Sequence, residues 1–496
     1  MNEISFPILI IVVPLISAFF IILVGLLRRD LCYPLMILTL SFSTLSSISV
    51  LKEVLWGGTI HYRLGGWLPP WGIEYVIDPL NGFVLLIVSA ISLLIGITSK
   101  RMVEREFPEK ATFFYCLFLL QVTGLLGIVV TGDLFNLYVF LEIASIAGYA
   151  LIALGEDGAP FASFNYMIYG TVGACFYLLG VGYLYIATGS LNMADLAQIL
   201  PSLLSSKVVL IAFAFFMVGI AIKMALFPLH VWLPDAYTYA PSAVSSLVAP
   251  LTTKVGAYVM IRVALTVFPP AFFIETLPAA LMLRWIANGA ILFGCILALA
   301  QKDLKRMLGY VLIAEIGYIA LGVGFGNRNG LTGAILHILN DALMMACLFL
   351  FVGAITYQGW PRKMDQLRGL HRKMPLTAAA FVIAGLSVIG VPPTCGFFSK
   401  WYLVLGAIDS KEWLSMAILL ASSLFNAILF FRVIEKAYFE SGKEHGMVQR
   451  TMEIKESPLT ILLPLLVLTA GVLSLGLFSG KIISGIIRFA IPVYFK

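Results

Sequence analysis

The stretch Gly219-Ile-Ala-Ile-Lys-Met-Ala-Leu-Phe-Pro-Leu-His-Val-Trp-Leu-Pro-Asp235 decides the fold. It begins as an apolar helix and carries Lys223 well inside the apolar run, with Pro228 five residues later. Proline has no N–H to give the carbonyl four residues back, so Met224 loses its helical partner beside the lysine. At membrane depth the lysine alone costs roughly 2.5–3.5 kcal/mol on insertion scales. Irregular backbone is tolerated there only against protein or a wet cavity. The segment predicts an interrupted membrane helix on an ion or proton path.

The rest of the chain supplies the membrane. Its 496 residues are 60% hydrophobic and 12% charged, with a mean hydropathy of +0.99, a balance foreign to soluble globular domains. Apolar runs of about 20 residues recur, as helical spans require. The alternating segments of a membrane barrel are absent. The formal charge of +6 sits in loops between spans, so it is no nucleic-acid signal. Six dispersed cysteines (Cys32, Cys116, Cys175, Cys295, Cys347, Cys395) form no CxxC or Cys/His cluster and read as buried inert thiols, which argues against zinc and iron–sulfur sites. No GxxxxGK[ST] motif occurs. The largest polar loops, near 52–76 and 440–457, are too short to fold alone, so redox or nucleotide chemistry would come from another chain. No cofactor or metal is expected, and any enzymatic role is that of a subunit. The N-terminal run lacks a basic n-region and a cleavage site, and is expected to be a retained span.

The fold class expected is an all-α polytopic membrane protein of about 14 transmembrane helices. The spans are 4–27, 31–51, 77–99, 111–130, 133–153, 161–188, 207–228, 241–265, 284–301, 305–325, 330–357, 376–403, 413–439 and 458–478, followed by an apolar tail expected to lie along the surface. The odd-numbered loops hold most of the basic residues: Arg28 and Arg29, Lys100 to Lys110, Lys302 to Arg306, Arg362 to Lys373, and Lys436, Lys443, Arg450 and Lys455. The even loops hold mainly Lys52, Arg63, Lys207, Arg328 and Lys411. The positive-inside rule then puts both termini outside the cytoplasm.

Buried charges recur at matched places. Glu142, nine residues into span five, lies about 13 Å along its helix, near the midplane. Alone, Glu142 and Lys223 would each be prohibitive, so they are expected to pair; a static pair joining two helices is the competing reading. Lys254 sits in span eight behind Pro250, with snorkelling to the interface as the alternative. Span twelve, Ser387-Val-Ile-Gly-Val-Pro-Pro-Thr-Cys-Gly-Phe-Phe-Ser-Lys400, repeats the interruption and the lysine. Glu142 precedes Lys223 by 81 residues and Glu315 precedes Lys400 by 85. Interrupted helices in corresponding halves point to two inverted five-helix repeats, spans four to eight and nine to thirteen. The divisions expected are 1–110, 111–265, 284–439 and 440–496. His337 and Asp341, four apart in span eleven, can share protons or a cation, against the alternative of a structural histidine. His230 and Asp235 belong to an interface, a channel mouth or plain loop packing. Together these residues describe lysines that titrate as a coupled set.

At these residues the chain resembles the antiporter-like subunits shared by Mrp-type Na+/H+ antiporters, respiratory complex I and membrane-bound hydrogenase-type complexes. The segments that carry the resemblance are Asp133-Leu-Phe-Asn-Leu-Tyr-Val-Phe-Leu-Glu142, Lys223 to Ala236, Leu251-Thr-Thr-Lys-Val-Gly256 and Asp303-Leu-Lys-Arg-Met-Leu-Gly-Tyr310. The D-type Mrp subunit is most similar in length and motif. The resemblance implies that Glu142 and Lys223 are the essential pair, Lys254 the connecting lysine and Lys400 the terminal lysine. It departs in span eleven, where the family often has His-x-x-x-His-Ala-x-x-Lys and this chain has Asp341 and Met345. Glu315, His337 and Asp341 are candidates for a substitute route, one that also suits Na+. The function expected is proton translocation as a subunit of a cation/proton antiporter in the cell membrane, among other membrane subunits and lipid. The alternatives are a subunit of a redox-driven complex and a structural subunit whose relay no longer conducts.

Overall fold

The computed structural model describes residues 6–155, 157–439 and 455–495. Lys443 and Arg450, part of the charge pattern above, lie outside them, as do most of the 440–457 loop and the head of span one. The first helices are α1 (Phe6–Leu27) and α2 (Cys32–Gly57), followed by a hairpin of β1 (Ile60–Arg63) and β2 (Glu74–Ile77). Next come α3 (Pro79–Glu106), α4 (Ala111–Val130), α5 (Leu134–Ala153), α6 (Ala159–Thr188) and the short α7 (Met193–Ile199). The central elements are α8 (Lys207–Lys223), α9 (Leu233–Tyr239), α10 (Ser242–Arg262), α11 (Ala279–Leu299), α12 (Leu304–Gly324) and α13 (Arg328–Tyr357). The chain closes with α14 (Leu370–Lys373), α15 (Pro375–Ile389), α16 (Cys395–Asp409), α17 (Trp413–Tyr438), α18 (Leu459–Leu477) and a terminal turn, α19 (Ser479–Ile482).

Among the described residues, 12 helices are long and apolar enough to cross a membrane. The two other expected spans, seven and twelve, are the broken ones: α8 stops at Lys223 before α9, and α15 stops at Ile389 before α16. α10, α12 and α13 are the most enclosed spans, with 89%, 94% and 89% of their apolar windows buried. The molecule's centre is therefore the trio that carries Lys254, Glu315, His337 and Asp341. Close approach between α6 and α8 depends on small residues, as lipid-embedded packing requires. A Cβ on Gly219 would stand 2.7 Å from the Gly173 carbonyl oxygen and the Tyr177 nitrogen, so α8 packs on α6 backbone to backbone.

Two aspartates in the motif segments have structural roles. The Asp133 carboxylate accepts from Asn136 N–H at 2.7 Å and caps α5; Asp303 accepts from Arg306 N–H at 3.1 Å and caps α12. Asp78 caps α3 through a capping box with Asn81 and receives Arg262 in a two-pronged ion pair, Nη1–Oδ2 2.6 Å and Nη2–Oδ1 3.0 Å. Burial alone would raise the Asp78 pKa, but the Arg262 charge and hydrogen bonds and the Asn81 and Leu80 N–H groups outweigh it and hold the carboxyl below its ordinary value.

The loops sort by parity. Lys305 donates to the Ala240 carbonyl, Arg362 to the Thr238 carbonyl, and Ser242 N–H to Glu106, which ties odd loops to odd loops. Tyr75 bridges Thr131, Asp133 bridges Asn192, and Asn327 donates to Ser410, which ties even to even. Three sequence expectations change. The 52–76 loop contains an antiparallel hairpin pairing Ile60 with Ile77. The tail is not purely superficial, since Ile487 and Ile491 are buried. Cys175 is exposed on α6, while the other five cysteines are buried.

Gly219→Ala is expected to cost roughly 1–3 kcal/mol by overpacking. Gly182→Ala, with nothing within 4 Å of the added carbon, should leave stability unchanged or slightly higher. Thermal unfolding of the purified protein checks both, and equal stability of the two variants would contradict the α6–α8 contact.

Candidate functional site

Both helix breaks leave carbonyls without intrahelical partners, and the end of a helix carries partial negative charge. At the first break Trp232 Nε1 donates to the Ile222 carbonyl at 3.1 Å, and Lys223 is the last residue of α8. At the second, Lys400 Nζ donates to the Val388 carbonyl at the end of α15, 2.6 Å away. Gly390 allows that turn, with φ +94 in the left-handed region. Each lysine therefore stands at the C-terminal end of an interrupted helix, where a cation is favoured.

From there the polar groups form a row. Lys223 Nζ lies 3.3 Å from Glu142 Oε1 and donates to Ser145 Oγ at 2.8 Å, one turn further along α5. Glu142 keeps 25% of its side chain exposed, so the pair sits at the edge of the bundle. Beside it is a cavity of about 30 Å³, room for a water, lined by Lys223, Ser145, Tyr166 and Thr252. Thr252 accepts from Gln121 Nε2 at 3.4 Å. Two residues beyond Thr252, Lys254 is fully buried; its Nζ lies 2.6 Å from Asp341 Oδ2 and donates to the Ala249 carbonyl at 3.2 Å. One turn back on α13, His337 Nε2 stands 3.0 Å from Glu315 Oε2, and its Nδ1 meets Ser399 Oγ at 2.9 Å. Asn340 also donates to Ser399, the residue before Lys400. The Lys400 ammonium lies 4.6 Å from the centre of the Tyr318 ring and donates to its hydroxyl at 3.5 Å.

Glu142, Lys223, Lys254, Asp341, Glu315, His337 and Lys400 thus come together. The departure in span eleven is where the two halves meet. Asp341 does not share a site with His337 but takes the Lys254 charge, while His337 turns to Glu315. Lys254 does not snorkel. His230 stays outside the row: its ring stacks on Phe227 at 5.4 Å and its buried Nδ1 has no partner. Asp235 pairs with Arg306 at 3.3 Å, with both side chains about 40% exposed. Sequence reading missed Ser145, Gln121, Thr252, Ser399 and Tyr318. Neutral polar residues in spans carry no charge signal, and only their position opposite a lysine marks them.

The family pattern described as "NADH:quinone oxidoreductase/Mrp antiporter, TM" matches residues 131–426. The chain is 46% identical to the N subunit of the NADH-quinone oxidoreductase of Desulforudis audaxviator, over 98% of each chain. It is 32% identical to the D subunit of the Na(+)/H(+) antiporter of Alkalihalophilus pseudofirmus, covering 87% of this chain and 86% of that one. Among solved structures it superposes on a chain of the archaeal membrane-bound sulfane sulfur reductase with TM-score 0.89 and 30% identity, over 97% of this chain and 96% of that one. The Mrp complex from Dietzia sp. gives TM-score 0.87 at 24% identity, over 98% and 96%, a likeness of fold.

Asp341→Asn leaves the Lys254 charge buried and uncompensated, an expected loss of about 3–5 kcal/mol. Lys254→Met with Asp341→Leu should recover most of it. A double-mutant cycle of Lys254→Met and Asp341→Leu, each alone and together, on thermal unfolding measures the coupling, and additive losses would show that the two do not pair.

Proposed function

Since the chain belongs to the NADH:quinone oxidoreductase/Mrp antiporter membrane-subunit family, we propose that it carries protons across the bilayer along this row, as one antiporter-like subunit of a larger membrane complex. The observation that carries the reading is the Lys254–Asp341 pair. It bridges the Lys223 and Lys400 halves inside the most buried helices. Lys223 exchanges protons under the control of Glu142, Lys254 and Asp341 relay, and Lys400 is the terminal group next to Glu315 and His337. We place the odd-loop face in the cytoplasm, from its basic residues. Helices α4, α5, α6, α8 with α9, and α10 form one inverted repeat. Helices α11, α12, α13, α15 with α16, and α17 form the other. Na+ is a candidate counter-ion for the complex.

The greater identity to the quinone oxidoreductase relative than to the antiporter relative favours a redox-driven assembly over a purely secondary antiporter. Redox subunits co-purifying with the chain would support that choice, and a complex without them would reverse it.

In vesicles containing the assembled complex, Lys223→Ala should abolish proton transport, and Asp341→Asn with Glu315→Gln should do the same. Transport at the unmodified rate in Lys223→Ala would refute the relay, and survival of the double variant would remove α12 and α13 from it.

A further inference from the structure

We propose that the outlet of the row is the Tyr318 hydroxyl, which passes the proton of Lys400 into a polar seam between α11 and α17 leading to the even-loop face. This rests on the relay reading and adds the path by which protons leave it.

The hydrogen bonds beyond Lys400 all point one way. Lys400 Nζ donates to the Tyr318 hydroxyl at 3.5 Å, that hydroxyl donates to Ser422 Oγ at 2.8 Å, and Ser422 donates to the Leu419 carbonyl at 2.7 Å. Tyr318 is also held edge-on by His337, 5.3 Å between ring centres, so it touches both ends of the α13–α16 cluster. The contact between α11 and α17 carries two buried amides, Asn288 on the even-loop side of Ser422 and Asn426 one turn beyond it on the other side. At the inner rung Cys295 Sγ lies 3.9 Å from Asn426 Oδ1, and Asn426 Nδ2 has no partner. At the outer rung Asn288 donates to Ser415 Oγ at 2.9 Å, and Asn288 Oδ1 has no partner. Buried polar atoms are nearly always satisfied, by protein or by water. The half-satisfied Asn288, on the even-loop side of Ser422, marks a place where water enters the seam.

The seam has a direction. Asn288 precedes Cys295, and Ser415 precedes Ser422, by two helical turns each, about 10 Å. Ser415 is near the head of α17, which starts at an even loop, and the seam's outer end is closed by the Arg284–Glu412 ion pair at 3.2 Å. Between Ser422 and the Asn288–Ser415 rung the two helices carry Ile291, Ile418 and Leu419, all buried, so this stretch is apolar. The transfer balances. An N–H proton of Lys400 goes to the phenol oxygen as the phenol proton goes to Ser422. The Ser422 hydroxyl turns from the Leu419 carbonyl and its proton goes to a water on the even-loop side, which becomes hydronium. Lys400 is left as the neutral amine, and both hydroxyls end uncharged.

Tyr318→Phe keeps the ring under Lys400 and removes only the hydroxyl. In vesicles with the assembled complex it should lower proton transport at least about tenfold, the low end of what a positioned proton-transfer group contributes. Ser422→Ala should do the same, and Ser422→Thr, which restores a hydroxyl, should recover transport; a purely structural role would not follow the hydroxyl. Should Tyr318→Phe fail to assemble, Asn288→Leu at the outer rung decides, with the same tenfold loss expected. Unmodified transport in Tyr318→Phe or in Asn288→Leu, with Lys223→Ala inactive, overturns the outlet and leaves the relay standing. Transport in Lys223→Ala as well means the relay reading itself has failed.

Discussion

An ionised side chain in the hydrocarbon layer must find an opposite charge or an oriented dipole, and the rest of this structure follows from that requirement. Three lysines of the row are buried, and each has a different answer. Lys223 has a carboxylate and a hydroxyl, Lys254 a carboxylate in direct contact, and Lys400 a freed helix carbonyl and an aromatic face. The contacts are graded. The central pair is fully enclosed and close, whereas the pair at the edge is longer and reaches a partly exposed glutamate.

The broken helices belong to the same requirement. In an unbroken helix a carbonyl away from the last turn already accepts a backbone N–H, so the Ala249 carbonyl that Lys254 reaches at 3.2 Å is shared, whereas a break frees carbonyls outright. Breaking α15 at Gly390 brings freed carbonyls to mid-membrane, and Lys400 takes one of them. The break after α8 is handled by Trp232, which occupies the Ile222 carbonyl and leaves Lys223 free to face Glu142. The same local device thus serves a lysine held by backbone in one half and a lysine held by a carboxylate in the other.

The charged skeleton was legible in the sequence because charge in an apolar run is conspicuous. The interrupted spans, the Glu142–Lys223 pair and the multi-pass fold could be read directly. What could not be read was who faces whom. His337 and Asp341 share a helix face, and spacing alone suggested one joint site; the packing of α10 against α13 gave Asp341 to Lys254 instead, and α12 brought Glu315 to His337. The hairpin left no readable signal because its strands are four residues each and sit between two long apolar spans. Asp133 and Asp303, at the heads of the most recognisable segments, cap helices, so a place in a family motif is not by itself a place in the transport path.

The Asp341–Lys254 pairing also determines how charge moves through the proposed relay. Two unit charges about 4 Å apart interact by about 4 kcal/mol at an effective dielectric near 20, and burial strengthens that. If Lys254 gives up its proton, Asp341 is left as an unpaired anion, which the interior does not tolerate. The nearest ionisable group on its own helix is His337, one turn away and already against Glu315. In the proposed relay, loss of the Lys254 charge therefore calls for a compensating change of charge beside Asp341. Asp341 and Met345 stand where the family often has a second histidine and a lysine, and in the proposed relay the Asp341 carboxylate, in direct contact with Lys254, takes the place of that base.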